Sequence, residues 1–101
     1  MSNEAYALFL GPAFRLIGAN DEWLAHRPMP EPLGVPLVEL FPDNPTLPVV
    51  ARAARDQGKC IETLAWLDGR AGMLMVCPFH REGRSGVATS FRPLDELTAT
   101  A

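Results

Sequence analysis

The segment "AGMLMVCPF" (71 to 79) is apolar at every position. In an extended strand successive side chains point to opposite faces, so Met73, Met75, Cys77 and Phe79 share one face while Leu74 and Val76 share the other. A strand apolar on both sides needs a sheet that is covered on both sides. Helices can cover one face; the other then needs a flanking helix or a second subunit. A homodimer, or an interface for a segment lying elsewhere, is the expectation.

Turn residues divide the rest of the chain. "YALFL" (6 to 10) and "FRLIGA" (14 to 19) are strand-like runs joined by Gly11-Pro12-Ala13, which reads as a hairpin connection. "DEWLAHR" (21 to 27) carries acids in its first turn, where the helix dipole favours them, and is stopped by Pro28, Pro30 and Pro32. Asn20 stands just before it and reads as its N-cap, the side-chain oxygen accepting from the free N–H groups of Glu22 or Trp23. "GVPLVELFPD" (34 to 43) predicts a helix of one or two turns. "TLPVVARAARDQGK" predicts the longest helix, with Thr46 as cap, Pro48 in the first turn, an Arg52 to Asp56 pair and Gly58 as the stop. Strands follow at 60 to 67, 71 to 79 and 87 to 91, joined by a tight turn at Asp68-Gly69 and by "REGRSG" (81 to 86). The order is strand, strand, short helices, longer helix, then three strands.

A chain of 101 residues matches one domain, here 1 to 101, with a core over about 5 to 92 and a tail 93 to 101 that reads as the start of a linker. Nine basic against twelve acidic residues, a net charge of -3, leave no clustered cations for nucleic acid or an anionic membrane. "MSNEAYALFLG" has Glu4 where an export signal carries basic residues, and no stretch reaches the ~20 apolar residues of a membrane helix. Two cysteines do not imply a disulfide framework. A reduced, cytoplasmic setting is the expectation.

This arrangement resembles the PAS family of sensor domains from about Ala5 to Arg92. "FRLIGAN" before a short helix looks like the family's second strand ending in its frequent asparagine. "LGVPLVELFPD" is similar to a family stretch matched by Gly34, Leu37, Leu40, Phe41 and Pro42. "GKCIETLAWLDGRAGMLMVCPFHREGRSGVATSF" looks like the three closing strands. The resemblance implies an α+β fold: a five-stranded antiparallel sheet in the order 2-1-5-4-3, with short helices and one longer helix over one face. It implies sensing or protein interaction, through a ligand held between helices and sheet or a partner on the outer face. Such a domain controls an effector such as a histidine kinase, a cyclic-nucleotide enzyme or a transcription factor. This chain departs from the family at "FRPL", where a final Asp-Ile-Thr commonly leads into a helical linker. The cysteine motif of flavin-binding photosensors and the axial histidine of haem sensors are both missing from the helix after Thr46, so neither flavin nor haem is expected.

The residues taken to face the space between helices and sheet are Trp23, Leu37, Phe41, Val49, Val50, Ala53, Met73, Met75 and Cys77. They either line a pocket for a small apolar ligand or fill the core at native density. Trp66, Leu74 and Val76 are the candidate dimer interface, unless a terminal segment folds over them. Cys77 and His80 in "CPFH" diverge in an extended strand, and a zinc site would also need Cys60 and His26, so Cys77 reads as a small core residue and no metal is expected. His26 or His80 with Ser85, Ser90 or a cysteine forms no recognisable nucleophile and base pair. A small α+β lyase or isomerase therefore has no constellation behind it.

Overall fold

A computed structural model describes residues 4–26, 32–67 and 69–94. The elements run β1 (Ala5–Leu10), β2 (Arg15–Ala19), α1 (Asp21–His26), α2 (Leu37–Leu40), α3 (Leu47–Gln57), β3 (Ile61–Leu67), β4 (Arg70–Arg81) and β5 (Arg84–Pro93). The fold is α+β: the strands form one antiparallel sheet in the order β2-β1-β5-β4-β3, as the resemblance implied.

Each turn rests on a residue that tolerates positive φ. Gly11 (φ 84) and Phe14 (φ 50) bracket the first hairpin, where the Phe14 N–H donates to the Gly11 carbonyl at 3.0 Å. Glu82 (φ 52) and Gly83 (φ 77) make the β4–β5 connection in two residues, the pattern of a type I′ turn whose twist suits a hairpin. The stretch expected as a six-residue loop at 81 to 86 is therefore mostly ladder: Arg81 pairs with Arg84, His80 with Ser85 and Phe79 with Gly86. At the β3–β4 turn Gly69 has φ 80, while Asp68 lies outside the described residues.

The α3 helix stops at Gly58, which is left-handed (φ 65) and donates back to the Ala54 carbonyl. Thr46 sits at the N-cap position without a side-chain cap bond; its carbonyl accepts from Val49 and Val50 instead. The expected Arg52 pair does not form. Asp56 takes the neighbouring Arg55 Nε at 3.0 Å, while the Arg55 guanidinium lies 4.9 Å from the Phe14 ring centre.

One face of the sheet packs under the helices. Phe9 of β1, Leu16 of β2, Ala65 and Leu67 of β3, Leu74 and Val76 of β4, and Val87 and Phe91 of β5 are buried there with Trp23, Leu37, Leu40, Phe41, Leu47, Ala51 and Ala54. Burying each larger side chain contributes about 1.5–3 kcal/mol. The helix alanines let α3 lie close on the strands.

The face assignment of β4 is the reverse of the expectation. Leu74 and Val76, expected at the outer surface, are 0% exposed in the core. Met73, Met75 and Cys77, expected under the helices, alternate with them and lie half-buried on the outer face. The reason is register: Met73 pairs with Arg92 and Met75 with Ser90, so the methionines share the side of β5 that carries polar residues.

Candidate functional site

Pairing places Tyr6 of β1, Ser90 and Arg92 of β5, Met73 and Met75 of β4, and Glu62, Leu64 and Trp66 of β3 on the outer face. Tyr6 is 47% exposed, Leu64 47% and Trp66 40%. An open depression of about 500 Å³ lies among them, lined by Glu4, Glu62, Met73, Met75, Ser90 and Arg92.

Its floor is organised by one carboxylate. Glu4 accepts from the Tyr6 hydroxyl at 2.7 Å, from Ser90 Oγ at 2.8 Å and from the Arg92 guanidinium. The Tyr6 hydrogen bond, then those from Arg92 and Ser90, holds the Glu4 carboxyl down to about 2, below the usual carboxylate range. Glu4 is therefore an anion at physiological pH, and it ties the start of β1 to β5.

Two asparagines fix the sheet's margins. Asn20 is the cap that the sequence predicted, with Oδ1 accepting from the Trp23 N–H at 3.0 Å. It does more: the same oxygen accepts from the Tyr6 N–H at 2.9 Å, and Nδ2 donates to the Glu4 carbonyl at 3.0 Å. Asn44, buried beside α3, has no counterpart in the sequence reading. Its Nδ2 donates to the Trp66 carbonyl at 2.6 Å and its Oδ1 accepts from the Trp66 N–H at 2.8 Å. The side-chain amide thus closes one step of the ladder along the outer edge of β3, the last strand of the sheet. The edge of β2 is met by the 33–37 segment, through Leu16 N–H to the Val35 carbonyl, Gly34 N–H to the Leu16 carbonyl and the Arg15 to Pro36 bridge.

Because Trp66 directs its backbone groups to Asn44, the odd-numbered partners of β4 face β5, and Cys60 and Cys77 meet as a non-hydrogen-bonded pair, the geometry that brings side chains closest. They form a disulfide with Cα atoms 4.0 Å apart. This corrects the expectation that Cys77 is a free core thiol. Pro78 follows at the point where β4 has passed the end of β3, so its missing N–H costs no ladder bond.

The residues expected around a ligand divide. Trp23, Leu37 and Phe41 do converge, with Trp23 and Phe41 edge to face at 6.5 Å and Val50 partly buried against the same cluster. Val49 is 64% exposed on the far side of α3, and Ala53 is only partly buried; the inward positions are Leu47, Ala51 and Ala54. Met73, Met75 and Cys77 are on the other side of the sheet. The Trp23 indole N–H is buried with no acceptor among the described residues. Of the outer-face candidates Trp66 alone is at the surface; Leu74 and Val76 are beneath the helices. His80 is exposed near the β4–β5 turn, and the His26 side chain lies outside the described residues. No group of three or more metal-binding side chains occurs among the described residues.

No family model matches the chain, and no curated protein matches it. Among solved structures it is similar to a domain of an HTR-like protein from Haloarcula marismortui ATCC 43049, with a TM-score of 0.75 at 11% identity, over 92% of this chain and 99% of that one. At that identity the likeness establishes a shared fold.

Proposed function

We propose that this chain is a PAS-type sensory domain of a cytoplasmic signalling protein, and that it self-associates through the outer face of its sheet to control an attached effector. The observation that carries the reading is the asymmetry of the two faces. The inner face is filled by its own helices, while the outer face leaves Leu64 and Trp66 at the surface beside Met73 and Met75. An exposed tryptophan and leucine beside half-buried methionines on one sheet face are typical of contact surfaces. The fold shared with a domain of an HTR-like protein is in keeping with this reading.

Sedimentation velocity at micromolar protein tests it. The expected result is a wild-type dimer that Trp66→Glu shifts toward monomer without loss of the far-UV dichroism. A wild-type monomer, or a dimer untouched by the substitution, overturns the interface.

A second reading has one observation in its favour. The Trp23 indole N–H is buried without an acceptor among the described residues, and a buried donor left unmet costs about 1–3 kcal/mol. A small apolar ligand carrying one acceptor atom would satisfy it by displacing part of the packing around Trp23 and Phe41. Such a ligand raises the melting temperature of the folded state by mass action.

A further inference from the structure

We propose that Cys60 and Cys77 form a reversible thiol–disulfide site that exchanges with low-molecular-weight thiols while the domain stays folded. Four observations converge on it.

The register sets the two cysteines opposite each other: Ile61 pairs with Val76, so the next step outward is Cys60 against Cys77. They are therefore held face to face by the backbone whether or not the bond is made. Access is asymmetric, since Cys60 is exposed and Cys77 half-buried. The bond stands outside the main packing: β3 and β4 share seven register pairs from Ile61–Val76 to Leu67–Arg70, and the core lies on the opposite face. Finally, Cys60 precedes β3 in the short link Gly58-Lys59-Cys60 from α3, so the bond ties the end of the long helix to the sheet beyond the last ladder pair.

The exchange balances as follows. An external thiolate attacks the exposed Cys60 sulfur; the Sγ–Sγ bond breaks, a mixed disulfide forms on Cys60, and Cys77 leaves as a thiolate that takes up a proton. A second external thiol attacks the mixed disulfide, returning Cys60 as a thiol and leaving with the first as an external disulfide. Two thiols are oxidised and one protein disulfide is reduced. In the cytoplasmic setting of the proposed function, a disulfide of this kind belongs to the transient or sensing class and not to the structural one. That step alone rests on the functional reading; the geometry stands without it.

The test is a titration of the folded protein in buffers of reduced and oxidised glutathione, with free thiols trapped by maleimide and counted by mass. The two thiols are expected to appear together as the buffer becomes reducing, with unchanged far-UV dichroism, and to vanish when it is returned. In Cys77→Ser a single glutathione is expected on Cys60, whereas Cys60→Ser takes it up more slowly at the half-buried Cys77. The proposal is overturned if the pair stays oxidised in the most reducing buffer and yields only in denaturant. It is equally overturned if reduction abolishes the sheet signal, or if the pair stays reduced in the most oxidising buffer. The readout is thiol content, so it succeeds or fails independently of the dimer measured by sedimentation.

Discussion

Replacing Asn20 by alanine removes three hydrogen bonds from one side chain. The first is the α1 cap at Trp23, worth about 1 kcal/mol. The other two join Asn20 to the Tyr6 N–H and the Glu4 carbonyl, at the start of β1. Tyr6 is an exposed residue, so water can replace part of that loss, and the pair contributes about 1 kcal/mol instead of two full bonds. The sum is about 2 kcal/mol. In a domain of this size that lowers the melting temperature by roughly 8–16 °C. Asn20→Ser separates the contributions, because a serine hydroxyl keeps an N-cap acceptor for Trp23 and loses the contacts to Tyr6 and Glu4; the expected cost is about 1 kcal/mol. Urea unfolding followed by far-UV dichroism measures both variants, with unchanged slopes showing that the folded and unfolded states remain comparable. A loss below ~0.5 kcal/mol for the alanine variant, or equal losses for the two, refutes the shared-cap account.

A Cβ on Gly86 would stand 1.9 Å from the Phe9 carbonyl oxygen and 2.8 Å from Leu10 Cα, both backbone atoms of the adjacent β1 strand. Gly86→Ala should therefore cost about 3 kcal/mol or more in thermal or urea unfolding. Gly18→Ala, with nothing within 4 Å, is expected to be neutral or slightly stabilising. The Glu4 carboxyl gives a pH signature. Its folded value is depressed, so the unfolded chain binds the extra proton first as acid is added; the contribution is complete above about 4.5 and is lost as pH falls toward about 2. Arg92 is half exposed, which screens the interaction, and the contribution is on the order of 1 kcal/mol. Glu4→Gln should flatten that acid limb in melting temperatures taken across the window.

The elements were legible wherever a turn had a residue of restricted or left-handed backbone to announce it. Gly11-Pro12, the prolines after α1, Gly58 and Gly69 marked their boundaries, and the sheet order followed from the resemblance. The face assignment of β4 was not legible from β4, because a strand apolar on both sides gives alternation no polar member to read. The signal was one strand away. In β5 Val87, Thr89 and Phe91 alternate with Ala88, Ser90 and Arg92, which is plain inward and outward alternation. A two-residue turn at Glu82-Gly83 then sets Met75 opposite Ser90 and Met73 opposite Arg92. Reading "REGRSG" as a loop discarded that register, and with it the parity of the whole strand. Asn44 left no such signal, since a lone asparagine between two prolines is an ordinary turn residue until the edge it closes is known.

The correction changes which side chains stand at the surface of the sheet. With Leu74 and Val76 inside, the helices and the inner face form one closed cluster, and the chemically varied side chains of β3 and β4 are left on the outer face. On β3 the two features of interest sit at opposite ends of the same strand: Cys60 immediately before its first residue, Trp66 next to its last. Each end is fastened differently, one by the covalent bond to Cys77 and the other by the Asn44 amide. Seven ladder pairs lie between these two fastenings and join β3 to β4 along its whole length. Because the two proposed features sit at opposite ends of β3, substitution tests them separately: Trp66→Glu for the docking surface, and the cysteine variants for thiol exchange.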